Sequence, residues 1–258
     1  MSSLARIAVV AENTAREAVR DKLLYNLLMF AVLMIASSVL LAKLQVGYDE
    51  RIYNDVGLAA ISFFGVLISI FVGINLVYRE ISLKTVYAML AKPLCRWEFL
   101  VGKYFGLLVT LALEVAVMSV FFFAVLWLKA SEIYVGMAYA IGLIFLELAL
   151  VTAIAMLFST FTTPYLAAMF TVALWITGHL LADLREFGQG ADGAAIRPVT
   201  EMLYWALPNL GRLDLKGDAA SGVPIGLARV GWPALYAILY SGALLVLSIV
   251  LFRRRDFR

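Results

Sequence analysis

The sequence predicts an all-α membrane protein. Six transmembrane helices follow an amphipathic interfacial helix, and a short re-entrant or interfacial helix sits in the outer loop before the last span. Three observations carry this prediction. Of 258 residues, 64% are hydrophobic and 15% charged, and the mean hydropathy is +0.93. A soluble domain has about 45–50% apolar and about 25% charged residues, so a water-soluble enzyme would lack the polar surface to cover its core, and a disordered chain would need the opposite balance. The apolar residues gather into runs long enough to cross a bilayer, and all 21 Lys and Arg residues fall outside those runs.

A hydrocarbon core about 30 Å thick needs roughly 20 apolar residues in a helix. Six runs meet this: about 23–42, 57–77, 104–128, 135–158, 164–182 and 231–252. Pro164 breaks the chain between the fourth and fifth, making them a tight hairpin. Tyr25, Tyr104, Trp127, Tyr134 and Trp232 stand near run ends, where amphipathic rings favour the membrane–water interface. The predicted spans make residues 1–258 a single transmembrane domain.

Charge placement sets the orientation. The N-terminal segment, the loop 78–103 and the tail 253–258 together hold thirteen Lys and Arg, against three (Lys43, Arg51, Lys129) in the short loops on the other side. By the positive-inside rule both termini are cytoplasmic. The long segment 183–230 is extracytoplasmic, and its five cations are offset by six acids. The N-terminus lacks the short apolar stretch and small-residue cleavage site of a secretory signal.

Three stretches outside the spans have their own character. Residues 3–22 place Leu4, Ile7, Ala11, Ala15 and Ala18 at helical spacing with charges elsewhere, the pattern of a helix lying in the interface. In 78–103, Glu80–Ala91 can form three helical turns, Pro93 stops them, and a new helix starts at Arg96 and runs into the third span. In 183–230, glycine-rich stretches flank Thr200–Leu207, an apolar, aromatic piece that Pro208 ends. It is too short to span and reads as a helix on the outer face.

The chemistry-bearing residues are few. Nothing in the chain has the makings of a catalytic centre. A single cysteine (Cys95) and a single histidine (His179) make neither a disulfide nor an ordinary metal site. No basic run with interleaved aromatics suggests nucleic acid. Gly102-Lys103 has no glycine five positions earlier and is followed by Tyr104, so it is not a phosphate-binding loop, and any ATP site belongs to another chain. Glu114 and Glu147 lie near mid-span with no cation at their depth. An ionised carboxylate there costs several kcal/mol, so each is protonated, faces water or accepts hydrogen bonds between helices. They serve either a proton or substrate path or helix association. His179 reads as an interfacial polar residue. Gly102 and Gly106, and Gly136 and Ala140, are small-xxx-small pairs that let helices approach closely.

The string from Glu80 to Lys103 resembles the loop between the second and third helices of type-2 ABC-transporter permeases. Glu80, Thr85, Leu90, Pro93, Arg96, Gly102 and Lys103 match that family's pattern, and Lys84 stands where many members have glycine. The resemblance implies a membrane subunit of an ABC exporter that pairs with a second permease chain, the same or related. Two separate ATPase subunits would bind ATP and Mg, and this chain would hold no cofactor. Glu80–Ala91 would be the coupling helix, with Lys84, Lys92 and Arg96 as polar contacts to the ATPase. The setting is a bacterial inner membrane with its lipid, and the cargo is amphipathic or lipid-like. In an alternative, the permease transmits ATPase motion to a periplasmic protein, and the outer segment with Trp205 and Pro208 is the docking surface. A third reading, a carrier that couples to protons through Glu114 and Glu147, needs no ATPase.

Overall fold

The computed structural model describes residues 2–42, 49–82, 95–129, 132–190 and 196–254, and every structural statement concerns these. Six of its helices are long and apolar enough to cross a membrane. They are α2 (Lys22–Ala42), α3 (Asp49–Ser82), α4 (Arg96–Leu128), α5 (Val135–Ser159), α6 (Pro164–Gly190) and α9 (Leu227–Arg254). The shorter α1 (Ser3–Val19), α7 (Ile196–Ala206), a 3-10 turn at Leu210–Leu213 and α8 (Lys216–Ala220) complete the chain. No strand occurs among the described residues.

The helices outrun the apolar stretches that announce them. α3 starts before residue 57, α4 starts at Arg96 rather than 104, α6 continues past 182, and α9 extends beyond 231–252 at both ends. Backbone hydrogen bonding continues as long as no residue breaks it, whereas hydropathy marks only the part matched to lipid. Cations therefore ride on the same continuous helices, and Lys103, two turns into α4, is only 1% exposed.

α3 and α5 form the centre. Their most apolar windows are 72% and 67% buried, against 22–33% for the other four spans. Small residues on α3 let neighbours in. A Cβ on Gly57 would stand 2.2 Å from the Phe122 ring of α4, and one on Gly65 would stand 2.6 Å from the Leu148 side chain of α5. Polar links then fix the register. Ser69 Oγ lies 2.7 Å from Thr152 Oγ1 and also reaches the Leu148 carbonyl. Tyr104 donates to the Ala149 carbonyl at 3.1 Å. Such bonds hold spanning helices together where lipid offers no hydrophobic drive.

One end of the bundle gathers α1, the start of α4 and the end of α9. Phe99 stacks on Phe252 at 6.4 Å between ring centroids. α1 lies across the start of α4 and packs against it more extensively than any other described pair of helices does. The buried stripe differs from the one expected. Thr14 and Ala18 are fully buried, and Ile7, Val10 and Ala11 pack beside them, while Leu4 is 79% exposed. Helix–helix packing selects the side that fits α4, and that side includes a threonine which satisfies its hydroxyl on the Val10 carbonyl at 2.8 Å.

At the opposite end, α7 is the short helix expected near Thr200–Leu207, displaced to Ile196–Ala206. It carries an outward apolar stripe of Ile196, Val199, Met202 and Trp205. The part that turns back among the spanning helices is the next segment, 207–220. Leu210, Leu213, Leu215, Ala219 and Ala220 are buried there. Asn54 of α3 donates to the Ala220 carbonyl at 3.1 Å, and Lys216 Nζ donates to Ser62 at 3.0 Å, well inside the α3 span. Irregular backbone is tolerated at such depth because protein surrounds it and meets its polar groups.

The packing at Gly106 is testable. A side chain there would place Cβ 2.5 Å from the Ala11 carbonyl oxygen and 2.6 Å from Thr14 Cβ. Gly106→Leu is expected to lower stability by about 1–3 kcal/mol, the usual cost of overpacking. Gly142→Ala, with nothing within 4 Å of the added carbon, is expected to be near neutral. Thermal unfolding in detergent checks both, and equal melting temperatures would contradict the close α1–α4 contact.

Candidate functional site: the charged joint and the buried polar groups

The joint between α1 and α4 begins with how α4 starts. Cys95 is its N-cap, and Glu98 folds back to accept the Cys95 backbone N–H at 3.0 Å, which satisfies one of the free donors at a helix start. The same carboxylate accepts from Arg6 of α1 at Nε (2.9 Å) and Nη2 (2.6 Å). Glu98 is fully buried, so its charge has lost water and gains a planar, two-pronged partner instead. The hydrogen bond to Glu98 raises the Arg6 pKa above its ordinary value, so the guanidinium stays charged.

One turn further along, a Cβ on Gly102 would meet Val10 Cβ at 2.7 Å, so only glycine lets α1 cross there. Lys103 Nζ lies 3.8 Å from Glu17 near the other end of α1 and 5.9 Å from the Phe99 ring centroid. Gly102-Lys103 thus acts as a crossing point and a charge partner for the N-terminal helix. Arg96 points to the end of α9, donating to the carbonyls of Phe252 (3.5 Å) and Arg253 (3.3 Å). A cation there also favours the negative end of the helix dipole.

The remaining loop residues connect to this joint only in part. Glu80 is carried on the last turn of α3. Lys84, Thr85, Leu90, Lys92 and Pro93 lie outside the described residues. Sequence reading missed Arg6, Glu17 and Glu98 as partners. The only local signal was the glutamate three positions after the N-cap Cys95.

The intramembrane residues separate into two places. Glu147 of α5, fully buried, accepts from Trp175 Nε1 of α6 at 2.9 Å, and His179 Nε2 stands 3.4 Å from the same oxygen. His179 Nδ1 lies 3.0 Å from the Trp175 carbonyl, which can only accept, so Nδ1 donates and Nε2 is left facing the carboxyl. His179 is therefore the half-buried partner of the buried Glu147, and the two tie α5 to α6. Glu114 of α4 sits elsewhere, in a cavity the size of one water that Ser69, Thr110 and Thr152 also line. Glu147 does not line that cavity, so the structure brings Glu147 together with His179 and sets Glu114 in a different pocket. No group of three or more metal-ligating side chains occurs among the described residues.

On the outer segment, Trp205 is 73% exposed. Pro208 is buried, and its carbonyl packs against Gly178, where a Cβ would meet it at 2.8 Å. Pro208 therefore lies beneath the surface assigned to it, because it ends α7 and starts the inward turn.

Residues 8–192, which contain most of α1, the loop and five of the six spans, match the family model described as ABC-2 family transporter protein. The chain belongs to the ABC-2 transporter family. It is accordingly a permease, a multi-pass membrane transport subunit, and ABC-2 membership implies partnership with an ABC ATPase subunit. The match covers the α4 side of the joint but begins after Arg6, and it ends before α7, so α7, α8 and α9 of this ABC-2 permease fall outside it. No curated protein matches the chain significantly.

Two outcomes follow for this permease. Arg6→Glu and Glu98→Arg are each expected to lower the melting temperature, and the double exchange to restore part of the loss, because the pair is re-formed with reversed polarity. A double exchange no better than either single change would mean that the pair contributes no coupling. Glu147→Gln keeps the shape and is expected to cost less stability than Glu147→Ala, which leaves Trp175 Nε1 unmatched at about 1–3 kcal/mol. Equal losses, read by unfolding in detergent, would contradict the α5–α6 tie.

Proposed function

We propose that this permease is the membrane subunit of an ATP-driven exporter in a bacterial inner membrane, with both termini cytoplasmic. Two ATPase subunits dock beneath it, each binding ATP and Mg, and a second permease chain, identical or related, completes the pathway. The cargo is amphipathic or lipid-like. The observation that carries the reading is the rigid joint at the α1 end: Arg6, Glu98, Glu17 and Lys103 tie α1 to the start of α4 immediately after the loop that matches the family's coupling pattern. Motion delivered to that loop passes directly into α4, and through Arg96 and Phe99 into the end of α9. A lever of this kind needs no nucleotide site in the same chain, and none can be read in its sequence. Glu80, Lys84, Thr85, Leu90, Lys92, Pro93 and Arg96 are the proposed coupling residues.

One observation favours a second reading, transmission of force to a periplasmic protein. The outward apolar stripe of α7, centred on Met202 and Trp205, is 73% exposed at both of these residues. It offers an apolar surface that a partner would cover.

Affinity purification in mild detergent is expected to recover a stoichiometric ATPase carrying a phosphate-binding loop, with vanadate-sensitive hydrolysis. Lys84→Glu is then expected to weaken the effect of the permease on hydrolysis by roughly tenfold, within the usual range of coupling energies, while insertion stays normal. Arg96→Glu is expected to do the same with some loss of stability, since Arg96 also closes the end of α9. Recovery of the chain alone under several gentle conditions, or unchanged coupling in Lys84→Glu, would overturn the reading.

A further inference from the structure

At the end opposite α1, a groove of about 570 Å³ runs between the 3-10 turn and the first three turns of α9. Its size falls in the range of small-molecule sites. One half is charged and the other apolar, with Arg212, Arg229 and the lysine-paired Asp214 at the polar end and Trp232, Leu235, Tyr236 and Leu239 along the helix.

The charges in this patch do not cancel. Asp218 takes Arg229 at 2.7 Å, Asp214 takes Lys216 at 3.5 Å, and Glu201 stands 3.9 Å from Arg185. Arg212 meets no carboxylate within 4 Å among the described residues. Aromatic groups hold it instead: it donates to the Tyr204 hydroxyl at 3.0 Å, and its guanidinium carbon lies 5.8 and 5.5 Å from the Tyr204 and Tyr236 ring centroids. Arg185 stands over the same Tyr204 ring at 4.5 Å, so two guanidinium groups share one tyrosine. The hydrogen bond from Arg212, aided by Arg185, lowers the Tyr204 pKa below its usual value. A planar guanidinium with donors to spare is the side chain best suited to phosphate oxygens.

The apolar half fixes what kind of anion fits. Trp232 is 75% exposed and Leu239 64% exposed, on a helix that spans the membrane. They lie about 10 Å apart along that helix, so an acyl chain can follow the helix face while its headgroup stays at Arg212. A soluble anion would leave this apolar half uncovered. Trp232 and Tyr236, within the first three turns of the span, mark the depth at which headgroups meet hydrocarbon. A guanidinium at that depth can meet a lipid phosphate through paired N–H donors.

We propose that this groove is a binding site for an anionic phospholipid, its phosphate on Arg212 with support from Arg229 and its acyl chain against Trp232, Leu235 and Leu239. The site stands apart from the coupling joint and does not depend on what the permease exports.

Native mass spectrometry of the full chain, with phosphatidylglycerol or phosphatidylcholine added to the detergent micelle, tests it. The wild-type chain is expected to retain phosphatidylglycerol about tenfold better, because both lipids offer a phosphate but the choline cation of phosphatidylcholine offsets its charge beside Arg212. Arg212→Gln is expected to bring the two lipids to parity, and Arg212→Lys to keep part of the preference. Leu239→Gln should weaken phosphatidylglycerol retention without removing the headgroup preference, and Arg16→Gln, at the opposite end, should change nothing. Size-exclusion profiles and helical content matching wild type qualify each variant. The proposal is overturned if the wild-type chain has no preference, if Arg212→Gln keeps it, or if millimolar glycerol phosphate displaces the lipid as well as another lipid does. That last result would make the groove a site for a soluble anion.

Discussion

The bond between Arg6 and Glu98 fixes more than the two helices it joins. Glu98 also closes the first turn of α4 through the Cys95 backbone, so one carboxylate sets where α4 begins and where α1 crosses it. The crossing is close because Gly102 and Gly106 carry no side chain where Val10, Ala11 and Thr14 arrive. From that turn, Arg96 and Phe99 reach the end of α9. The first and last helices of the chain are thereby held to one point, and the loop before α4 is attached to a stiff body rather than to a free strand of chain.

The bundle spends its few polar groups unevenly. At the α1 end they are charged and paired at the helix starts and ends. In the middle they are hydroxyls and carboxyls that join helices, as Ser69 joins Thr152 and Glu147 joins Trp175 and His179. At the far end, charges return with aromatic rings around them, as at Arg185, Tyr204 and Arg212. Each solution suits its surroundings. Ion pairs can draw on nearby water, hydroxyls return their hydrogens to the helix backbone, and guanidinium groups over aromatic faces suit a boundary between water and lipid.

Much of this was legible in the sequence because the bilayer imposes a length and a composition on each span. Apolar run length gave six spans, Pro164 gave the hairpin, and the spacing of Gly102 and Gly106 gave a close crossing without naming what crosses. The rest depended on residues distant in the chain. Arg6 and Glu98 are 92 positions apart, and nothing local marks them as partners. The Glu147 partner of His179 is likewise on another helix, which the sequence around His179 does not mark. The apolar side of α1 was misjudged by a small rotation, since periodicity reports which residues are apolar and packing decides which are covered. The inward turn at 207–220 was hidden by its glycines and charges, which read as a solvent-exposed loop until Asn54, Ser62 and Tyr236 supply its hydrogen bonds.

That inward turn has a consequence for how the chain is made. Its backbone and its lysine are matched by groups on α3, and Asn209 donates its backbone N–H to the Tyr236 hydroxyl of α9, a helix synthesised after it. Spanning helices insert as separate units and associate afterwards, so residues 207–220 cannot reach their final seat while α9 is still within the ribosome or the insertion machinery. The segment is thus seated late in assembly, once α9 has joined the helices made before it. Damage to it would leave a chain that inserts with the right number of spans yet never completes its assembly.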